Sequence, residues 1–247
     1  MPAPSCVRIS VVVPAFNEER LLADSLRSVR CAMEVLAERG WSTELIVCDN
    51  NSDDRTAEIA RAAGARVVFE PVNQIARARN KGAAHAAGEW LIFIDADSHP
   101  SRELFAEAAA AMQGGRCLAG GATLAFPGCA ATGRGWLVLW NAVSRMTRWA
   151  AGSFAFCEAA AFRELGGFNE RLYAGEEIDL FRRLKRLARR KGRTLVILHR
   201  HPLHTSDRKL RLYTWREHLA FLLRTCASAG RTLRRRDQCF VWYDGRR

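Results

Sequence analysis

The hydrophobic residues of the first hundred positions follow two alternating patterns. Short uninterrupted apolar runs, typical of buried strands, are separated by segments in which apolar residues recur every three or four positions, the period of an amphipathic helix. The clearest helical segment carries apolar residues at 22, 26, 29, 33 and 36. The pattern predicts strands at 7–13, 44–48, 65–69 and 90–94, and helices that follow residue 17 and span 55–63 and 75–87.

Strands that alternate with helices are typical of a parallel sheet with helices on both faces. The second half of the chain is less regular. It predicts helices at 101–113 and 176–191, strands at 117–126, 154–157 and 194–198, an amphipathic Trp-rich stretch near 135–150, and a loop at 199–209 followed by basic helices. Since neither a repeat nor a linker interrupts the sequence, we expect a single α/β domain of three layers, α/β/α, with a mostly parallel central sheet.

Two polar residues stand where helices are predicted to begin. Asn17 precedes a first turn that holds Glu18 and Glu19, and negative charge is favoured at a helix N-terminus. Asp54 precedes the second helix. We therefore expect Asn17 and Asp54 to cap these two helices.

Length and composition exclude several classes of protein. The 247 residues, 49% hydrophobic and 26% charged, are enough to form a core, which excludes a disordered or fibrous chain. The apolar runs are shorter than the roughly eighteen residues of a membrane span, and the first residues do not resemble an export signal. Eight scattered cysteines without a C-x-x-C pair indicate free thiols, so we expect a cytoplasmic protein.

The net charge of +12 is unevenly distributed along the chain. Residues 182–247 hold 20 Lys and Arg against 4 Asp and Glu, a net +16, whereas residues 1–181 hold 18 against 22, a net −4. A basic segment of this kind attracts acidic lipid, nucleic acid or a phosphate-bearing substrate.

Polar clusters directly follow three of the predicted strands: PAFNE after the first, DNNSDD after the second and DAD after the fourth. Ligands of parallel sheets bind beyond the carboxyl ends of the strands, so these clusters should meet at one edge. Asp95 and Asp97 are spaced either to place a divalent cation against a diphosphate or to cap the next helix. Asp49 is placed either to accept an N–H from a nucleobase or to start a turn.

The predicted helix at 176–191 contains a carboxylate on its apolar face. Glu177 shares a helical stripe with Leu180 and Phe181, whereas Asp179 faces the arginine side and is expected to form a surface ion pair. An inward carboxylate is costly unless it is paired or functional. Glu177 is therefore our candidate for a general base.

Two basic segments leave alternatives open. Arg77 and Arg79 lie about 200° apart around one helix, so only one of them can face the strand ends, and periodicity does not choose between them. The loop 199–209 combines imidazoles with cations that suit a metal ion and a diphosphate. Its candidates are His201 or His204 for the metal, and Arg208 and Lys209 for the diphosphate.

Four ordered motifs of the chain resemble a known family. VVVPAFNEE, VCDNNSDDRT, ARNKGAAHAAGEWLIFIDAD and GGFNERLYAGEEIDL, taken together, are similar to the motifs of the inverting family 2 glycosyltransferases, which have the GT-A fold. The resemblance covers about residues 7–187. It implies a nucleotide-sugar donor and a divalent cation, Mn²⁺ or Mg²⁺. A nucleotidyltransferase that forms sugar nucleotides would instead require a Gly-rich loop with a basic residue after the first strand, where this sequence has PAFNEER.

The resemblance also implies roles for individual residues, matched motif by motif. Pro14, Ala15 and Glu18 match the loop that holds the base and ribose, Asp49 the carboxylate that contacts the base, and Arg79 the arginine of the ARN-x-G segment. Asp95 and Asp97 match the acidic pair, with Asp97 the direct metal ligand, and Glu177 stands where the family usually has an Asp as general base. From the basic loop we add Arg208 for the donor and His204 for the metal.

These assignments divide the single domain of residues 1–247 into three parts. We expect residues 1–100 to bind the nucleotide sugar, residues 101–200 to bind the acceptor, and residues 201–247 to form a basic helical segment. UDP and GDP are the candidate nucleotides, and a lipid-linked or polysaccharide hydroxyl is the candidate acceptor. The alternative is a module on a degenerate glycosyltransferase fold that binds acidic membrane or nucleic acid, although the sequence holds no nucleic-acid-binding motif.

Overall fold

The computed structural model describes residues 7–126, 131–206, 208, 212, 215–228 and 230–243. The strands are β1 (Arg8–Ala15), β2 (Ser42–Asp49), β3 (Arg66–Phe69), β4 (Trp90–Ile94), β5 (Ser98–His99), β6 (Cys117–Ala125), β7 (Phe154–Glu158) and β8 (Thr194–Thr205). The helices are α1 (Leu22–Glu38), α2 (Thr56–Ala62), α3 (Ile75–Ala84), α4 (Arg102–Gln113), α5 (Ala131–Thr147), α6 (Ala159–Glu164), α7 (Glu176–Arg190), α8 (Trp215–Ala227) and α9 (Phe240–Tyr243). Two short 3₁₀ helices, Arg231–Arg234 and Arg236–Gln238, precede α9.

The strands form one sheet in the order β3-β2-β1-β4-β7-β6-β8-β5. The first four strands of that order are parallel, as predicted, and β6 is parallel to β8. β7 lies antiparallel between β4 and β6, and β5 is antiparallel to β8. The carboxyl ends of β1, β2 and β4 therefore share one edge of the sheet, where the polar clusters of the sequence lie.

Helices cover both faces of the sheet, which makes the three predicted layers. On one face α1 and α4 pack over a core that contains all five apolar positions predicted for the first helix, from Leu22 to Leu36. On the other face α3, α6 and α7 pack over a second cluster that includes Phe93 and Phe181. None of the helices in the described ranges is long and apolar enough to cross a membrane.

Two predicted element boundaries are wrong. The first helix begins at Leu22, without a side-chain cap, because Asn17 adopts a left-handed backbone conformation with φ 51° and its side chain instead accepts the Asp53 N–H. The last strand continues to Thr205, so most of the predicted loop 199–209 is strand. Its extra length is stabilised by pairing with β5, a two-residue strand that the sequence pattern does not reveal.

The cysteines that the structure describes are free thiols, as predicted. Cys48, Cys117, Cys157 and Cys239 are buried, and burial raises the pKa of each of these thiols. Cys31 is exposed. Cys6, Cys129 and the Cys226 side chain lie outside the described part of the chain.

Candidate functional site

The loop that follows β1 is held against the loop that follows β2. Pro14 and Ala15 are buried at the end of β1, where Ala15 pairs with Asp49 of β2. Beyond the strand end, the Glu18 N–H donates to the Thr56 hydroxyl at 2.8 Å. The residues predicted to hold the donor base therefore lie together at the carboxyl edge of the sheet.

Two aspartates shape the loop after β2. Asp49 is buried, and its Oδ1 accepts the Ser52 N–H at 3.1 Å, which is the turn-forming role considered for it. The N-cap residue of α2 is Arg55, without a side-chain cap, so Asp54 stands one position before the cap that was predicted for it; its Oδ1 accepts the Thr56 N–H at 2.9 Å. A contact between Asp49 and a nucleobase stays a prediction.

Arg79 lies at the centre of the site, with 1% of its surface exposed. Its Nη2 donates to Asp95 Oδ1 at 2.8 Å and to the Gly152 carbonyl at 3.0 Å, while its Nη1 donates to Glu176 Oε1 at 2.7 Å. The guanidinium also lies 5.3 Å from the centre of the Phe168 ring. One buried cation therefore joins the end of β4 to the start of α7.

The charges around Arg79 keep it protonated. Burial alone would lower the pKa of its guanidinium, but the negative charges of Asp95 and Glu176 outweigh burial and raise it above its ordinary value. Arg77, by contrast, is partly exposed and pairs with Glu70. Of the two arginines that the sequence left open, Arg79 is the one that reaches the strand ends.

The two carboxylates after β4 have different surroundings. Asp95 is fixed by its ion pair with Arg79. Asp97 has longer contacts: the Thr205 hydroxyl donates to Oδ1 at 3.4 Å, and Arg208 Nη2 lies 3.9 Å from Oδ2. The carboxylate oxygens of Asp97 are hard donors of the kind that suits a cation such as Mg²⁺ or Mn²⁺, whose other ligands are diphosphate oxygens and water.

The residues that the structure describes do not form a metal site from protein ligands alone. Among these residues, no group of three or more His, Cys, Asp and Glu side chains is arranged to hold a metal ion. This is compatible with a cation that enters with a diphosphate, because Mg²⁺ keeps several waters and binds through one or two carboxylates plus substrate phosphates.

Arg208 connects the C-terminal part of the chain to the first strand end. Its two terminal nitrogens bind Glu18 in a bidentate ion pair, with distances of 2.6 and 3.1 Å. Burial would lower the pKa of Arg208, but the hydrogen bond to Glu18 and the charges of Glu18 and Asp97 raise it. Arg208 and Glu18 are thus brought together beside Asp97, whereas Lys209 lies outside the described residues.

The first turn of α7 carries two adjacent glutamates at the site. Glu176 is the more buried one, 3% exposed, and is the partner of Arg79. Glu177 is half-buried, and desolvation together with the charge of Glu176 raises its pKa from 4.5 to about 8. The helical-face prediction therefore identified a carboxylate with a strongly shifted pKa but missed the buried one before it. Asp179 forms the predicted surface pair, with Arg183 at 2.8 Å.

His204 is not grouped with Asp97 in this structure. It is exposed in β8, where it pairs with His99 of β5, and both line a cleft of about 540 Å³ together with His201. The next residue, Thr205, is the one whose side chain reaches Asp97. Since successive side chains of a strand point to opposite faces, His204 points away from Asp97. Its role as a metal ligand stays a prediction.

The structure adds residues near the C-terminal end of the chain that the sequence did not reveal. The Tyr243 hydroxyl accepts the Ile75 N–H at 3.3 Å, at the start of the helix that carries Arg79. The Tyr173 N–H donates to the Leu233 carbonyl at 2.7 Å, and the rings of Tyr173 and Tyr243 pack edge to face. No local pattern could have identified these contacts, because each joins residues far apart in the sequence.

A protein family and several known proteins are similar to part of this chain. Residues 10–163 match the family described as Glycosyl transferase family 2. A 107-residue part of the chain is 37% identical to the 4,4'-diaponeurosporenoate glycosyltransferase of Staphylococcus haemolyticus, covering 40% of this chain and 27% of that protein. A 114-residue part is 33% identical to the undecaprenyl-phosphate 4-deoxy-4-formamido-L-arabinose transferase of Edwardsiella ictaluri, covering 43% and 34%. The matched region thus spans about a third of these relatives.

Solved structures give a match over most of the chain. The mannosyltransferase of Pyrobaculum calidifontis, in complex with GDP-Man and Mn²⁺, has a TM-score of 0.67 and 21% identity, covering 91% of this chain and 64% of that one. This likeness shows the fold, which is that of the GT-A glycosyltransferases.

Proposed function

Because the chain belongs to glycosyltransferase family 2, we propose that it transfers a sugar from a nucleoside-diphosphate donor to an acceptor hydroxyl with inversion at the anomeric carbon. The observation that carries the proposal is the buried Arg79, whose hydrogen bonds join Asp95 at the donor-side strand end to Glu176 at the start of α7. That connection brings a half-buried neighbouring carboxylate, Glu177, to the strand ends as a base.

On the donor side, the nucleoside would lie against the loops after β1 and β2, with Pro14, Ala15 and Asp49 at the base. The diphosphate would lie near Asp97, where Arg208 is the nearby cation. For Arg208 to contact a phosphate it must share or exchange its ion pair with Glu18. Arg79 is buried beneath Asp95, so its contribution to the donor site would be to position that carboxylate.

Asp97 is the residue that would hold a divalent cation, with Asp95 beside it. When bound, the cation supplies positive charge that stabilises the departing nucleoside diphosphate. Support comes from the position of Asp97 two residues after Asp95, beyond the carboxyl end of β4, and from the Mn²⁺ in the related mannosyltransferase structure. His204 would have to leave its cleft to add a ligand.

The proton of the acceptor hydroxyl would go to Glu177. As the acceptor oxygen forms its bond to the anomeric carbon, the bond from that carbon to the diphosphate oxygen breaks and the nucleoside diphosphate leaves with the electron pair. The raised pKa of Glu177, about 8, makes it a stronger base than an ordinary carboxylate, in the range where general bases work near neutral pH. Neighbouring Glu176 and Asp95 both contribute to this shift.

The nucleotide and acceptor are proposed more broadly. UDP and GDP remain the candidate nucleotides, and the related mannosyltransferase structure contains GDP-Man. We favour a lipid-linked acceptor over a polysaccharide, since one relative is named for undecaprenyl-phosphate. A cytoplasmic location stays a prediction.

The proposal is tested by thermal unfolding with UDP, GDP, CDP, ADP and TDP, each with and without Mn²⁺ or Mg²⁺. A ligand present at about a hundred times its Kd should stabilise the fold by about 2.7 kcal/mol. We expect one nucleotide to raise Tm only with the cation, and Asp97→Asn to remove that increase. Asp24→Asn, on the exposed face of α1, is the matched control and should keep it. A wild-type chain that none of these nucleotides stabilises would contradict the proposal.

A further inference from the structure

One face of α5 exposes apolar side chains to solvent. The residues of this outer stripe recur at the spacing of a single helix face: Gly135, Val138, Leu139, Ala142 and Met146. Val138, Leu139 and Met146 are 68%, 54% and 84% exposed. A surface helix normally turns its apolar residues inward, so an apolar outer stripe indicates a surface that something covers.

The opposite face of α5 packs against the rest of the protein. Leu137 and Trp140 pack against the core, and the Asn141 side chain exchanges two hydrogen bonds with the backbone of Leu124, at 2.9 and 3.0 Å. Ser144 is buried and donates to the Trp149 carbonyl at 2.6 Å. These contacts fix which face is inward and leave the outer stripe exposed.

The charged residues of α5 and of the segments that flank it in the sequence are all basic. The sequence from 108 to 157 contains neither Asp nor Glu. Arg145 lies exposed beside the stripe, Lys185 donates to the Thr147 carbonyl at the end of α5 at 2.9 Å, and Arg182 lies 5.9 Å from the Trp149 ring. An apolar stripe on a segment that carries Arg145 and neither Asp nor Glu complements a leaflet of anionic lipid.

We propose that the outer stripe of α5 inserts into the surface of an anionic membrane. The inference deepens the proposed function and rests on it for one point, that the acceptor is lipid-linked. The placement suits such an acceptor, because Gly152, whose carbonyl binds Arg79, follows Thr147 by only five residues. The end of α5 also contacts α7, the helix that carries Glu177, through the hydrogen bond from Lys185 to the Thr147 carbonyl.

The test is flotation of the full chain, without donor, on vesicles of phosphatidylcholine with or without phosphatidylglycerol. We expect the wild-type chain to float with the anionic vesicles and less well at high salt. The triple variant V138S/L139S/M146S should partition at least about tenfold less. Phe69→Ser, on the far edge of the sheet and 53% exposed, is the matched control and should float like the wild type.

Further variants keep the result decisive. Met146→Ser alone should lower partitioning in part, and Arg145→Glu should weaken the preference for phosphatidylglycerol. If the triple variant floats as well as the wild type, another surface binds the membrane and the inference is wrong. It is also wrong if neither floats and sedimentation shows a wild-type dimer that the triple variant abolishes, since the occupant is then a second copy of the chain.

Failure of this inference is distinguishable from failure of the proposed function. Nucleotide-dependent stabilisation is measured without vesicles, and it should be the same in the wild type and the triple variant. Stabilisation by a nucleotide without flotation would overturn the membrane surface alone. Flotation without any nucleotide effect would overturn the sugar transfer and leave the lipid surface supported.

Discussion

At the scale of single residues, Arg79 is the side chain on which the site depends most. Its guanidinium satisfies two carboxylates and a carbonyl from three different segments. Removing one partner of a buried ion pair leaves an uncompensated charge, which costs about 3–5 kcal/mol. The position also requires the planar guanidinium of arginine, because its Nη2 donates to Asp95 while its Nη1 donates to Glu176.

We expect Arg79→Lys to lower the free energy of unfolding by about 3 kcal/mol, because a single ammonium cannot replace both bonds. Urea denaturation measures the change. Arg77→Lys is the control two residues away, and its partly exposed pairs with Glu70 and Glu170 should make it cost about 1 kcal/mol or less. Equal losses for the two variants would contradict the central role of Arg79.

Glu177→Gln tests the base through two readouts. General-base loss typically costs about a hundredfold or more in transfer rate, and donor binding should be unchanged. Stability provides the second readout. The pKa of Glu177 is raised to about 8 in the folded state, so the folded state binds more protons than the unfolded state above pH 4.5. The free energy of unfolding of the wild type therefore falls as pH rises from 4.5 to about 8.

The glutamine variant lacks that titration, so the Tm difference between variant and wild type should move in the variant's favour by roughly 7–14 °C from pH 5 to pH 8. Thermal scans across this pH range measure it. Glu164→Gln, on the surface with Lys191, should show no such pH-dependent difference. A constant difference for Glu177→Gln would mean that Glu177 has an ordinary pKa.

The local sequence allowed only part of this site to be predicted. Asp95 and Asp97 were evident because they directly follow a buried strand. Glu176 was missed because its burial depends on Arg79, a residue 97 positions away. Helical periodicity ranks faces by apolar neighbours and cannot show that a buried cation compensates a particular carboxylate.

At the scale of elements, α3 must lie close to the sheet for Arg79 to reach Asp95. Gly82 permits the approach: a Cβ at this position would lie 2.4 Å from Val12 Cγ1. Valine is stiff, so the helix rather than the side chain would have to move. The packing of one helix on one strand thereby controls the position of the guanidinium.

We expect Gly82→Ala to destabilise the fold by about 1–3 kcal/mol through overpacking, although alanine favours helix by about 1 kcal/mol. Chemical denaturation checks the sign. Gly114→Ala provides the comparison, because a Cβ there makes only ordinary contacts near 3.5 Å and should leave stability unchanged or higher. Destabilisation by both variants alike would show that close packing is not the cause.

Element predictions were accurate where one pattern decided the outcome and wrong where distant contacts did. The apolar period of α1 was correct, but its start was not, because Asn17 binds the loop after β2 rather than capping a helix. In the same way, β8 continues through a run of histidines because β5 and β6 pair with it. The pattern of hydrophobic side chains does not show which distant segments will pair.

At the scale of the whole molecule, the alternation of strands and helices was sufficient to predict three layers and the parallel half of the sheet. It could not predict that β7 enters antiparallel between β4 and β6. That insertion places Ser153, just before β7, where its carbonyl accepts the Asp95 N–H at 3.3 Å. The order of the sheet thus completes a site whose components were visible only separately.

The contacts between distant parts of the chain have a consequence for biosynthesis. Glu18 forms an ion pair with Arg208, 190 residues later, and the Ile75 N–H donates to the hydroxyl of Tyr243, 168 residues later. Proteins are made from the N-terminal end, and a ribosome that has translated only as far as α7 has supplied neither partner. The strands that come first can pair early, but the candidate site at the carboxyl edge of the sheet is completed only when the last described residues have emerged. A nascent or prematurely released chain would therefore hold the sheet without the contacts of Arg208 and Tyr243 that complete the proposed donor site.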